Sequence, residues 1–182
     1  MKEIVRPAII LLAITAVAAA LLGVVQSITA EPIKIAIENT QNAAMKASLP
    51  DAETFEPVEA DLTGTTISAV SLGKDANGNE VGYVITANPS GFGGAVPTTV
   101  GIGTDGVITG IQVTTPSETP GLGARATEPA FQDQFKGMSG QLKVNKDGGE
   151  VQAITSATIT SRAVTSGVNE ALTWFEANGG AK

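Results

Sequence analysis

The chain of 182 residues contains no cysteine and no histidine. A disulfide, a thiolate nucleophile and a protein-ligated iron–sulfur cluster are therefore excluded. So is the side chain that most often serves as a general base near neutral pH or as a metal ligand. Long basic runs are also missing and the formal net charge is −7. Nucleic-acid binding needs clustered Lys or Arg, so no nucleic acid is expected as a partner. The glycine-rich stretches 88–101 and 115–125 lack the GxGxxG spacing and no GK[ST] segment occurs, so neither stretch carries a dinucleotide or P-loop fingerprint. The composition that remains is 42% apolar with 21 Gly and 9 Pro, which suits one modest globular domain plus an accessory segment. Demanding chemistry must come from carboxylates or from a carried group.

One long apolar run is present. "PAIILLAITAVAAALLGVVQSITA", residues 7–30, carries no charge, and its densest part runs from Ala8 to Val25. At about 1.5 Å per residue such a helix nearly crosses a hydrocarbon layer of roughly 30 Å. Lys2 and Arg6 precede it and Glu31 follows, so the positive-inside rule puts residues 1–7 in the cytoplasm and the rest of the chain outside. A cleaved signal peptide is the alternative, because "SITA" before Glu31 has a faint likeness to a cleavage site. The apolar core is longer than such peptides carry, which favours a single-pass anchor over 8–29. Ala8, Ala13, Ala16, Ala18, Ala19, Ala20 and Gly23 offer small faces for contact with other membrane helices. Two of the 11 basic and one of the 18 acidic residues lie before residue 31, leaving an outer part with a net charge of −8.

Beyond the anchor, "PIKIAIENTQNAAMKASLP" (32–50) reads as a short amphipathic helix stopped near Pro50, and "DAETFEPVEAD" (51–61) as an acidic surface connector. The pattern then changes. "TTISAVSLG" and "EVGYVITA" flank a turn at Asn77-Gly78, and "PTTVGIG" and "VITGIQVTT" flank one at Asp105-Gly106, so two hairpins are expected. A third pair, "GQLKV" and "EVQAIT", brackets "NKDGG". "EPAFQDQFKGM" (128–138) predicts a short helix with Phe131 and Phe135 on one face. A final helix over about 160–177 carries Val164, Val168, Ala171, Leu172 and Phe175 as its apolar stripe and ends at "NGG". The fold class is α+β: a transmembrane helix, an intervening segment over 30–60, and a small domain over 61–180 with a mostly antiparallel sheet and flanking helices.

Three stretches are candidates for a site. "NPSGFGGAVPTTVG" (88–101) and "TPSETPGLGAR" (115–125) are rich in glycine, which marks tight turns and also allows close approach of a ligand to backbone. "ITSATITSRAV" (154–164) places Thr155, Ser156, Thr158, Thr160 and Ser161 where a strand passes into a helix. Helix N-termini favour anions, and Arg162 adds charge if it folds back. An ordinary Ser/Thr N-cap explains one or two of the five hydroxyls but not all.

"AITSATITSRAV" resembles the flavinylation motif of the covalent-FMN-binding domain family. In that family a Ser/Thr-Gly-Ala-Thr segment carries FMN through a phosphoester on its last threonine, which falls on Thr158 here, with Thr155 and Ala157 matching. "SETPGLGAR" and "GFGG" are similar to other segments of the family, in the expected order. With the single N-terminal span, the likeness covers essentially the whole chain and is greatest to the G subunits of ion-translocating ferredoxin:NAD+ oxidoreductase (Rnf) complexes. The C subunits of sodium-translocating NADH:quinone reductases share the plan. Two positions depart: Ser156 stands where the family usually has Gly, and Gln152 where an Asp is common.

The resemblance implies a flavoprotein subunit with one covalent FMN, relaying electrons in a complex that moves Na+ or H+. It also implies a flavin transferase for maturation, other membrane and redox subunits as partners, and no catalysis by the chain alone. Thr158 would carry the phosphoryl group, with Thr155, Ser156, Ala157, Thr160 and Ser161 around it. Glu118, Thr119, Gly121 and Leu122 would meet the flavin, and Arg125 and Arg162 would offer charge to its phosphate or ring. No metal site is expected. A stand-alone extracytoplasmic FMN protein or reductase, the equivalent subunit of a sodium-translocating NADH:quinone reductase, and an anchored non-redox binding module are the competing readings.

Overall fold

The computed structural model describes residues 2–114 and 117–179. Thr115 of the second expected hairpin, the "TP" that opens the second glycine-rich stretch, and Gly180 of the expected helix stop lie outside the described residues.

Helix α1 (Lys2–Ser48) runs unbroken through Pro7 and Pro32. The apolar run and the amphipathic segment after it are thus one helix, stopping just before Pro50. Its part from Val5 onward is long and apolar enough to cross a membrane, with none of its most apolar window buried by the rest of the chain. Hydroxyls in this layer are satisfied locally: Thr15 donates to Leu11 O at 2.9 Å, Ser27 to Val24 O at 2.8 Å and Thr29 to Val25 O at 2.8 Å. An apolar environment offers no water to do this, so the helix supplies its own acceptors.

The chain divides into two compact units, one up to Gln41 and one from Asn42 onward. The second is built on five strands: β1 (Thr54–Pro57), β2 (Ile67–Lys74), β3 (Glu80–Ala87), β4 (Thr98–Gly103) and β5 (Ile108–Val113). They form one antiparallel meander in the order β1-β2-β3-β4-β5, so the domain is α+β in class, as expected. The β2–β3 and β4–β5 turns hold Gly78 at φ +82° and Gly106 at φ +80°, the left-handed conformations that Asn-Gly and Asp-Gly favour.

Two segments differ from the sequence reading. The acidic connector contains β1, which pairs with β2 from Thr54↔Lys74 to Pro57↔Ser71. The third expected hairpin does not form. Its arms meet only in an isolated parallel bridge, Val144↔Val151, around a 3-10 turn over Asn145–Asp147. Side chains take the place of a ladder there: Asn169 brackets Leu142, accepting from its N–H at 2.8 Å and donating to its carbonyl at 2.9 Å. Asn145 Oδ1 accepts from Ala153 N–H at 3.1 Å.

Both sheet faces are covered. On one, α3 (Thr158–Asn178) lays Val164, Val168, Ala171, Leu172 and Phe175 against Ile85, Val100, Ile102 and Ile111. The short helix α2 (Pro129–Gln132) and the 3-10 turn after it add Phe131 and Phe135, whose rings meet edge to face with centroids 5.6 Å apart. On the other face, Leu49 and Ala52 pack with Val84. Here the end of α1 comes close enough that a Cβ on Gly101 would strike Ser48 O. Thr109 donates to that carbonyl at 2.5 Å, and Ser48 Oγ donates to Thr99 O at 3.2 Å.

Candidate functional site

Three connections converge where β3 and β5 end and β4 begins. Between β3 and β4, Ser90 and Ala95 bridge, and Gly91 N–H donates to Gly94 O at 2.7 Å. This makes a small turn that lifts Phe92 at its tip. After β5, the chain folds at Thr119, whose carbonyl accepts from Leu122 at 3.1 Å and Ala124 at 3.2 Å, and enters a 3-10 turn over Gly123–Thr127. The third connection is the hydroxyl-rich junction that starts α3.

Glu118 joins the first two. Its Oε1 accepts Phe92 N–H at 2.7 Å and Gly93 N–H at 3.3 Å. The glycines make this possible by what they lack. A Cβ on Gly91 would meet Glu118 Oε1, one on Gly93 would meet Ser117 O, and one on Gly123 would meet Glu118 Oε2. The two glycine-rich stretches are thus two halves of one construction closed by a carboxylate. Charge-assisted bonds to backbone N–H groups are stronger than neutral ones.

Between these loops and α3 lies an open cleft of about 380 Å³, lined by Phe92, Glu118, Thr119, Leu122 and Gly123 on one side and residues Ser156 to Thr160 on the other. That is a ligand-sized volume. Beyond α1, the exposed large apolar side chains among the described residues are Phe92 (72%), Leu122 (41%) and Ile159 (51%), and all three line this cleft. The charged group among its lining residues is Glu118.

The junction does not behave as a capped helix start. The N-cap of α3 is Ala157, with no side-chain cap. Of the five hydroxyls, Ser161 is the structural one: buried, its Oγ accepts Ile154 N–H at 2.9 Å and donates to Ala157 O at 3.0 Å. Thr155, Ser156, Thr158 and Thr160 make no side-chain hydrogen bond among the described residues, and of these only Thr155 does not line the cleft. The first bond of the helix ladder runs from Ser161 N–H to Ala157 O at 3.0 Å. The N–H groups of Thr158, Ile159 and Thr160 therefore precede the ladder and have no backbone acceptor among the described residues, which suits an anion. Ser156 has φ +64°, the one non-glycine residue with positive φ among those described.

The two arginines go elsewhere. Arg162 forms a two-pronged ion pair with Asp147, Nε to Oδ2 at 2.7 Å and Nη2 to Oδ1 at 2.5 Å. The hydrogen bond to Arg162 holds the Asp147 carboxyl below its usual range, and the same contact raises the guanidinium. Arg125 pairs with Glu128, Nε to Oε2 at 3.2 Å, on an exposed surface. Neither lines the cleft, and Gly121 and Ser161 do not either. The sequence reading expected charge from both arginines; each sits beside a carboxylate that satisfies it. Conversely, Phe92 and Ile159 were not among the expected site residues. An apolar residue at the tip of a glycine turn, and another at the second position of a helix, are the signals that single them out.

The sequence signature of the FMN-binding domain matches residues 91–173, a span that includes all three walls of the cleft. The chain is 41% identical to the G subunit of the ion-translocating oxidoreductase complex of Methanosarcina acetivorans, over 98% of each protein. It is 38% identical to the G subunit of the Na(+)-translocating ferredoxin:NAD(+) oxidoreductase complex of Acetobacterium woodii, over 96% of this chain and 93% of that one. Among solved structures, the fold is similar to the C subunit of the Na(+)-translocating NADH-quinone reductase of Parabacteroides distasonis. That similarity has a TM-score of 0.59 and 20% identity, over 76% of this chain and 90% of the other.

Proposed function

The chain belongs to the family of G subunits of ion-translocating oxidoreductase complexes, and from that premise we propose that it is a membrane-anchored flavoprotein that relays electrons through one FMN joined by a phosphoester to Thr158. The observation that carries the reading is the position of Thr158. Its hydroxyl, without a partner among the described residues, stands at the first position of α3 on a cleft rimmed by Phe92, Leu122 and Ile159.

The residues present fit the cofactor. Bound FMN supplies one- and two-electron redox chemistry. The protein's part is to hold and surround it. Thr158 fixes the phosphate tail, and the free N–H groups at the start of α3 face the ester's negative charge. Phe92, Leu122 and Ile159 give a flat aromatic system apolar contact on an open surface, where electrons can pass to a neighbour. The cleft has no cation among its lining residues, so an ion pair does not retain a free flavin phosphate. A covalent bond does that work, and it also keeps FMN on a domain that has no pool of flavin to draw on. The open form of the cleft suits a relay whose ring faces a neighbour.

For this chain the proposal extends to its surroundings. Lys2 and Arg6 before the span orient the N-terminus to the cytoplasm and the FMN domain to the outer side. Other membrane and redox subunits supply and accept electrons between ferredoxin and NAD+, coupled to movement of Na+ or H+. A flavin transferase installs the ester. The test is intact-protein and peptide mass spectrometry of the native chain and Thr158→Ala, each co-expressed with such a transferase. An FMN adduct on the native peptide that is missing from Thr158→Ala is the expected result. An adduct on another residue, or none on either protein, refutes the assignment.

A further inference from the structure

Two oxygen atoms in the cleft are left unused by the protein. Thr160 is 1% exposed, lines the cleft, and its hydroxyl has no hydrogen-bond partner among the described residues. No side-chain oxygen or nitrogen among those residues is fully sealed off without a partner, so the little exposure that Thr160 has lies at its hydroxyl. A nearly buried hydroxyl without a partner costs free energy that a ligand group can recover. Glu118 is the second case: its Oε1 takes the N–H groups of Phe92 and Gly93, while Oε2 accepts nothing among the described residues. A Cβ built on Gly123 would lie 2.6 Å from Thr160 Oγ1 and would also strike Glu118 Oε2. The two oxygens, one from the loop and one from α3, therefore approach each other across Gly123, whose missing side chain lets both come to the same part of the cleft wall.

We propose that Glu118 Oε2 and Thr160 Oγ1 form an acceptor–donor pair that grips the imide edge, CO–NH–CO, of a flavin ring. Glu118 accepts the ring N3–H and Thr160 donates to a carbonyl beside it. This rests on the FMN reading above. The chemistry of the pair selects that edge. An ionised carboxylate can only accept, and a threonine hydroxyl can donate, so together they match a donor next to an acceptor. An ester phosphate would meet the Glu118 charge at this point and has no N–H to offer it, which places the phosphate at the helix N-terminus and the polar ring edge here. Glu118 is a pre-set acceptor, because its other oxygen is held by two backbone donors and Gly91 and Gly123 close around it. A fixed negative charge beside the ring also opposes the negative charge that reduction adds, so Glu118 lowers the flavin's midpoint potential.

The test uses holoprotein made with a flavin transferase and 15N-labelled flavin, in native, Glu118→Gln, Thr160→Val and Thr160→Ser forms. Mass spectrometry first establishes the ester on Thr158. In the native protein the N3–H resonance exchanges slowly with water. In Glu118→Gln that protection falls and the midpoint potential moves upward, because the negative charge is gone. In Thr160→Val the N3–H stays protected while a flavin carbonyl stretch shifts to higher frequency, and Thr160→Ser restores it. Unchanged N3–H exchange and potential in Glu118→Gln, with the ester present, overturn the inference alone; a native protein without the ester removes the FMN reading and this inference together. Hydrogen exchange on the unflavinylated chain reads whether Glu118→Gln still protects the Phe92 and Gly93 amides. If it does not, the loop has opened, and an unshifted carbonyl stretch in Thr160→Val then overturns the inference by itself.

Discussion

Replacing Ser156 with glycine tests the backbone of the junction directly. Ser156 sits at φ +64°, where an L-residue's Cβ crowds its own carbonyl at a cost of about 1–2 kcal/mol and glycine has no such cost. Its side chain is exposed and makes no hydrogen bond among the described residues, so removing it forfeits no contact. Against the relief stands the greater freedom of glycine in the unfolded chain, roughly 0.5–1 kcal/mol. The net expectation for Ser156→Gly is a gain of about 0.5–1 kcal/mol, which for a domain of this size corresponds to a rise in Tm of about 2–4 °C. Ser156→Ala keeps the crowding and gains nothing, and Ser156→Val, branched at Cβ, loses about 1 kcal/mol or more. The assay is urea unfolding of the detergent-solubilised chain, followed by fluorescence of the single tryptophan, Trp174, whose ring centroid lies 5.8 Å from that of Tyr83. The slope of the transition should stay constant while its midpoint moves. A glycine variant no more stable than the native chain, or a valine variant equal to it, would refute the reasoning.

Other perturbations have expected outcomes of the same kind. Gly101→Ala drives a methyl group into Ser48 O and separates the end of α1 from β4, so it should destabilise by about 1–3 kcal/mol in the same urea assay. Gln132→Leu leaves Val113 N–H and Thr127 O without the side-chain partners they meet at 3.0 and 2.5 Å, and should cost about 1–3 kcal/mol for the buried donor. Because Asp147 is held below its usual pKa of 3.8 by Arg162, its contribution is complete above that value and is lost as pH falls through the lower, folded-state value. Asp147→Asn should therefore flatten the acid limb of a stability–pH profile below about pH 4, while Arg162→Ala should return the Asp147 NMR titration midpoint upward towards its usual value.

What the sequence made legible follows from how local each signal is. Asn77-Gly78 and Asp105-Gly106 demand left-handed turns whatever surrounds them, so both hairpins could be placed from a few residues. The apolar stripe of α3 and the Phe131–Phe135 spacing are local in the same sense. β1 was hidden because "TFEP" is only four residues long, ends in Glu-Pro and depends on pairing with β2. The third hairpin failed for the opposite reason: its strand-like arms lose to Asn145 and Asn169, whose side chains occupy the backbone groups a ladder would use. In the site, the glycine-rich stretches and the hydroxyls could be found, but the link between them could not. Glu118 reaches Phe92 across 26 positions, a contact that no local pattern encodes. Arg125 and Arg162 misled because a charge near a motif says nothing about which carboxylate is nearer in space.

The end of α1 has a consequence for anyone who wishes to handle the outer domain in water. Ala44, Ser48, Leu49 and Ala52 are all buried, and Gly73 and Gly101 are shaped around them. The natural cutting point suggested by hydropathy, just after the apolar run or in the acidic stretch past Pro50, falls on either side of the right answer. A fragment that begins at 53 exposes Val84 and the bare glycine face of β4 and should aggregate. One that begins at Asn42 keeps the plug in its socket and should be the shortest soluble form that unfolds cooperatively.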